Sequence, residues 1–201
     1  MQLDSIFKVD NIWSLLMYNL IFFARQLIFK DGNFTEFANT RDLQMAKNLA
    51  WLCRVKYPTE KIIVWAANYH VAKYTGHFNK SSMNKDTSMA TVFVQNELLN
   101  MLTYVPGFSS YDGDAGRIGT KTFAVDKPAN NGFETWINDQ ADYAFINFQN
   151  FNQLNPEYNQ AFEMKSSVKH QGVHKSHAAQ WNKMFDGVFF IRHMYPCKIK
   201  N

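Results

Sequence analysis

Two cysteines, five prolines and nine glycines are few for 201 residues, and each scarcity excludes something. Cys53 and Cys197 lie far apart and in no CxxC or CxxH spacing, so neither a disulfide framework nor a cysteine-rich zinc site is implied. They read as inert thiols of a reducing, cytoplasmic setting. Prolines and glycines form no tract, and there is no repeat, low-complexity segment or domain linker. Charge is also sparse. The 21 basic residues exceed the 17 acidic ones by too little, and too diffusely, to announce a surface for nucleic acid. Long hydrophobic runs are absent too. The most apolar early stretch, Trp13 to Ile28, is broken by Asn19, Arg25 and Gln26, well short of the roughly 20 residues a membrane span needs, so no membrane partner or targeting segment is expected. No GxSxG, Walker A, GxGxxG or HExxH pattern occurs, which leaves serine-hydrolase, P-loop, dinucleotide and zincin readings without support and implies no cofactor and no metal.

What is present is a core. Apolar residues make up 46% of the chain and aromatics 16%, a composition that folds rather than stays disordered. The length suits one domain over residues 1–201. Trp13, Leu16, Met17, Leu20, Ala24, Leu27 and Ile28 recur at three- and four-residue steps, predicting an amphipathic helix laid on the core. The polar stretch Lys30 to Thr40 predicts a loop, with Thr40 capping a second helix from Arg41 that carries Met45, Leu49, Leu52 and Cys53 on one side and stops at Tyr57-Pro58. Lys61 to Ala67 is a continuous apolar run, as in a strand covered on both faces. Lys73 to Thr87 reads as a surface loop, and Ser88 to Leu102 as a third helix with Met89, Val92, Phe93, Leu99 and Leu102 inward. Strands are predicted at Thr103 to Ser110, with Pro106 making an edge or an irregularity, then at Lys121 to Val125, Tyr143 to Phe148 and Gly187 to Ile191. Tyr111 to Gly116 has turn chemistry. The fold class that follows is α/β, a mixed or mostly parallel sheet flanked by helices.

Chemistry concentrates where the run Lys61 to Ala67 ends. Asn68, Tyr69 and His70 follow it directly, and ligands in open α/β sheets sit beyond the carboxyl ends of strands. An imidazole there can act as general acid or base, and Asn68 can orient a substrate or donate to an oxyanion. A plainer reading stands beside this one: His70 hydrogen-bonds a backbone carbonyl and Asn68 turns the chain. The residue types alone favour the plainer reading. His170, His174 and His177 have helical spacing, but Gly172 interrupts it and Lys165, Lys169 and Lys175 would repel a cation, so the segment reads as a solvated basic loop. Asp112 and Asp114 flank a glycine as in calcium loops, yet the remaining ligand positions lack carboxylates.

The stretch from Arg41-Asp42 through Met45-Ala46 to Leu52, followed by Ile62 to Ala72 with its Asn68-Tyr69-His70, resembles the erythromycin esterase family. There an Arg-Asp helix start precedes a strand ending in His-Asn-x-His. The resemblance continues through Tyr104 to Gly116 and closes at Phe185 to Ile191. It implies hydrolysis of a small-molecule ester or lactone by a histidine-activated water, with His70 and Arg41 as the catalytic residues carried over and Asn68 and Tyr69 beside the substrate. Arg41 equally suits a salt bridge at a helix start.

Two departures from the family qualify this. Ala67 stands where the first histidine of the pattern belongs. The family's Gly-Glu-x-x-His-Gly motif has no counterpart in residues 1–40. The expectation is therefore a chain corresponding to the C-terminal half of the family architecture, inactive alone, with a missing N-terminal half, or self-association through an exposed face, as its partner. The competing expectation is a non-catalytic small-molecule-binding or structural domain.

Overall fold

The computed structural model describes residues 11–29, 32, 34–77, 85–168 and 174–197. They form two compact units, one from Met1–Gly76 with Ser82–Tyr104 and one from His77–Ser81 with Val105–Asn201. The architecture is mixed α/β with a mixed sheet, as the sequence pattern predicts.

The described part of the first unit is helical. Helix α1 (Ile12–Phe29) rests on α2 (Phe34–Trp51) through Leu15 and Phe22, both buried, with half-buried Asn19 between them. These positions form one narrow stripe at helical spacing. The broader stripe expected to face the core is solvent-exposed instead, Trp13 to 74% and Leu20 to 63%. One neighbouring helix covers one stripe; a wider one needs a second layer, and this unit places only α2 along α1 among its described residues.

Helix α2 starts well before Arg41, so Thr40 lies inside it rather than capping it. Buried Ala38 already continues the apolar side, and Glu36 in the first turn suits the positive end of the helix dipole. The helix runs into a π-helical turn, Leu52–Lys56, closed by Tyr57 N–H donating to Leu52 O at 2.8 Å, before Pro58 ends it. Expectation and structure part again at Ser88 to Leu102. Two short helices stand there, α4 (Met89–Phe93) and α5 (Glu97–Met101), with Ser88 and Asn96 as their N-caps. Asn96 accepts from Leu99 N–H at 3.1 Å, an asparagine offering the backbone an alternative to continuous helix. Ala46 and Ala50 of α2 pack with Met89, Val92, Phe93, Val94 and Leu99 as the core, while Leu102 is exposed.

Lys61 to Ala67 corrects the sequence reading most sharply. It belongs to no sheet among the described residues, and Ile63 is 92% and Trp65 83% exposed. A strand needs a neighbour for its backbone groups, and the unit's described residues supply only helices. His70 therefore sits not at a strand end but in a one-turn helix, α3 (Asn68–Val71).

The second unit holds the sheets. Strand β1 (Pro106–Ala115) pairs in parallel with β6 (Gly187–Met194) and antiparallel with short β2 (Phe123–Ala124); β3 (Tyr143–Asn147) pairs antiparallel with the far side of β6. The order is β2-β1-β6-β3. Pro106 is the first strand residue, where a missing N–H costs no interior ladder bond. The turn-like stretch from Tyr111 is absorbed into β1, and its glycine has a use there: Gly113 has φ +109°, and a Cβ on it would lie 2.2 Å from Met194 O. Asp186 is buried at the mouth of the parallel pair, accepting from Val105 N–H at 2.7 Å while its own N–H donates to Val105 O at 2.8 Å.

Between β3 and β6 lie α6 (Phe148–Leu154), a hairpin of β4 (Phe162–Val168) and β5 (His174–Ala179), and α7 (Trp181–Met184). The hairpin corrects the solvated-loop reading. His177 and Lys165 are both buried; His170 lies outside the described residues. Lys165 Nζ donates to Tyr111 O at 2.6 Å and Asp126 O at 2.7 Å, and its N–H donates to Glu134 Oε1 at 2.7 Å, which also accepts from the Ser109 hydroxyl.

Burial lowers the Lys165 ammonium from its ordinary value to about 8, against the opposing pull of Glu134, Asp112 and Asp126. A lysine whose folded value lies below its unfolded one contributes stability that is complete above the unfolded value and is lost as pH falls through the folded one. Urea unfolding should therefore show stability rising from pH 8 towards 10.5, by an amount on the order of 2 kcal/mol, that is missing in Lys165→Met. An identical pH slope in that variant would contradict the assignment.

Candidate active site around His70

The site is assembled from three helices of the first unit. Arg41 and Asp42 are neighbours in α2, His70 comes from α3, and the first N–H of α4 completes the group. The turn bearing His70 is closed by its own N–H donating to Ala67 O at 2.9 Å and by Ala72 N–H donating to Asn68 O at 2.8 Å. Ala72 O in turn accepts from the buried Ser88 hydroxyl at 2.5 Å. The residue that follows α3 is thereby tied to the residue that caps α4.

Asp42 is the centre. Its side chain is 1% exposed. Oδ2 accepts from His70 Nδ1 at 2.8 Å and from Met89 N–H, at the start of α4, at 3.1 Å; Oδ1 faces Arg41 Nε at 3.4 Å. A buried carboxylate is costly unless its lone pairs are met by donors, and here each oxygen meets at least one. His70 is held at both ring nitrogens, because Arg41 Nη2 lies 3.0 Å from Nε2. Donor chemistry assigns the ring state. A carboxylate only accepts and a guanidinium only donates, so Nδ1 carries the hydrogen and Nε2 offers its lone pair to Arg41. This pairing selects one tautomer of the ring.

The other two sequence-predicted residues lie on the same turn. Tyr69 stands edge-on to His70 with ring centroids 5.6 Å apart. Burial, then a hydrogen bond to Asp86, raises its phenol well above the ordinary range, so it remains protonated and donates to Asp86. Asn68 opens the turn and is half-buried. The structure brings His70 and Arg41 into contact and sets Asn68 and Tyr69 beside them.

Sequence reasoning missed the residue that joins them. Asp42 was visible only as half of an Arg-Asp helix start, and nothing in local spacing links it to a histidine 28 positions on. Arg41 also borders an open groove of about 370 Å³ between α1 and α2, lined on its apolar side by Leu20, Phe22, Phe23 and Met45. The polar floor is an amide array: Asn19 and Asn48 exchange side-chain hydrogen bonds at 3.2 and 2.9 Å, and Gln44 Nε2 donates to Asn48 Oδ1 at 2.8 Å. Among the described residues no group of three or more His, Cys, Asp or Glu side chains is placed to hold a metal ion, and no helix is long and apolar enough to cross a membrane.

Removing Asp42 strands a ring N–H and a helix-terminal N–H. Asp42→Ala should lower the stability of the first unit by about 3 kcal/mol, clearly more than the roughly 1 kcal/mol expected for His70→Ala, whose loss leaves Asp42 its other donors. Equal losses in denaturant titrations of the two variants would count against the central role of Asp42.

Comparison with known proteins places this arrangement in a larger context. Two solved structures share the fold: a protein from Bacillus cereus, with TM-score 0.64 and 18% identity, and a succinoglycan biosynthesis protein, with TM-score 0.61 and 14% identity. Each likeness covers 86% of this chain and 42% of the other, so this chain spans less than half the length of either relative. A search of curated protein sequences returns no match. The sequence profile described as Erythromycin esterase matches residues 19–194, taking in Arg41, Asp42, His70 and every strand of the four-stranded sheet, and the chain belongs to the erythromycin esterase family.

Proposed function

We propose that the protein is an esterase-like hydrolase that opens an ester or lactone with water activated by His70. The observation that carries this reading is the Asp42–His70–Arg41 array. A buried carboxylate fixes the imidazole in the tautomer whose Nε2 can take a proton, and a guanidinium beside that nitrogen is positioned to stabilise the oxyanion of a tetrahedral intermediate. Asn68 and Tyr69 would line the substrate. The proposed substrate is a small molecule, and the proposed setting is cytoplasmic.

The chain alone is proposed to be inactive, its partner being polypeptide that corresponds to the part of the solved relatives it does not match, or a second copy docked through an exposed face. Two features support an absent neighbour: the exposed Trp13, Met17 and Ile28 of α1, outside the groove, and the exposed Ile63, Val64 and Trp65 immediately before α3. Apolar groups so exposed in a run are what an adjoining layer or strand would cover. A second reading, a small-molecule-binding protein without turnover, draws on a different observation: Arg41 already occupies the lone pair that a general base needs.

The discriminating measurement is hydrolysis of a panel of activated esters and lactones by the longest natural form of the protein. His70→Ala should reduce turnover at least ~100-fold while circular dichroism and thermal unfolding stay close to the parent, the scale of a lost general base. Full activity in that variant would sink the hydrolytic reading, and tight ligand binding with no turnover in the parent would favour the second.

A further inference from the structure

We infer that the α1–α2 groove binds a small amphiphilic monocarboxylate, whose head draws Arg41 off His70 Nε2, so that the ligand itself releases the imidazole lone pair. The inference rests on the reading of His70 as a base and deepens it by naming the class of molecule the site takes.

The argument begins with a conflict inside the site. A base must present a lone pair, and here that lone pair accepts from Arg41 Nη2 at 3.0 Å. Asp42 holds the ring from the other side at 2.8 Å and is buried, so the ring is the fixed partner. Arg41 is the adjustable one: its side chain is 42% exposed, and its bond to Asp42, at 3.4 Å, is long. A guanidinium carries five N–H donors in a planar fork, and a carboxylate met edge-on by two of them outcompetes a single imidazole nitrogen.

The groove says what kind of carboxylate. Its volume, about 370 Å³, is within the roughly 300–1,000 Å³ of small-molecule sites, and Arg41 is its one charged lining residue. Leu20, Phe22, Phe23 and Met45 supply an apolar wall for a hydrocarbon body. Charge also fixes the valence. With Asp42 already against Arg41, every negative charge on a ligand meets repulsion from the buried carboxylate, which disfavours a phosphate dianion about twice as strongly as a monoanion. Ligands that combine such a tail and head include acid-bearing esters and lactones, and the acids that their hydrolysis releases.

Octanoate serves as the probe on the full chain, with octanamide (tail without charge) and acetate (charge without tail) as controls. Calorimetry should show octanoate binding at least about tenfold tighter than either control, a difference of ~1.4 kcal/mol. Binding should fall by a similar factor in Arg41→Met and in Phe23→Asp; Phe23 is exposed on α1, so the second variant leaves the core intact. The 15N signal of His70 Nε2 should move on octanoate addition towards its position in Arg41→Met, with Nδ1 still bonded to Asp42. Octanamide or acetate binding as well as octanoate, undiminished binding in either variant, or saturable binding that leaves Nε2 unmoved would each overturn the inference. Turnover is not read. Octanoate binding with the Nε2 response but no hydrolysis of any ester therefore counts against the proposed reaction alone, and hydrolysis without octanoate binding counts against this inference alone.

Discussion

A single buried carboxylate holds the first unit together where it matters chemically. Asp42 gathers a ring nitrogen from α3, the first amide of α4 and its own neighbour's guanidinium, and so joins three helices whose apolar contacts alone would let them slide. Hydrophobic packing is non-directional, whereas a desolvated acid tolerates only arrangements that satisfy it. The alanine and valine contacts of α2 with α4 set the distance, and Asp42 sets the register.

The second unit uses the same device independently. Asp186 pins the start of the parallel pair by bonding both polar groups of Val105 to its side chain and backbone. Glu134 and Lys165 fasten the β4–β5 hairpin to β1 through Ser109 and Tyr111. Burial raises the Glu134 carboxyl and lowers the Lys165 ammonium, the cost of placing two ionisable groups where they fasten a neighbouring strand. The aromatic rings of Phe108, Phe189 and Phe145 then cross three strands in register, with centroids 5.4 and 4.7 Å apart.

The strands of the four-stranded sheet were legible in the sequence because each contains a short apolar run, whereas the polar β4 and β5 were not. β2, β3 and β6 fall where the pattern puts them, and β1 differs mainly by continuing through glycine-bearing residues. The helices of the first unit were legible as helices but not in their facing. Periodicity reports which side of α1 is apolar, and says nothing of whether a layer exists to cover it. The run from Lys61 misled for the same reason: its composition is that of a covered strand, and the described chain offers it no ladder. At the site, His70 and Arg41 were found through their resemblance to a family, while Asp42 and the groove depend on pairings across the fold that no local pattern encodes.

Arg41 and Asp42 are consecutive residues of opposite sign that take opposite edges of one ring. Their charges cancel, so with a neutral imidazole the trio carries no net charge. Any proton the ring accepts upsets that balance by one unit beside a carboxylate that is almost wholly buried. The trio is in this sense a compensated dipole: a proton on the ring would make it a cation, and an anion seated on Arg41 would offset that charge.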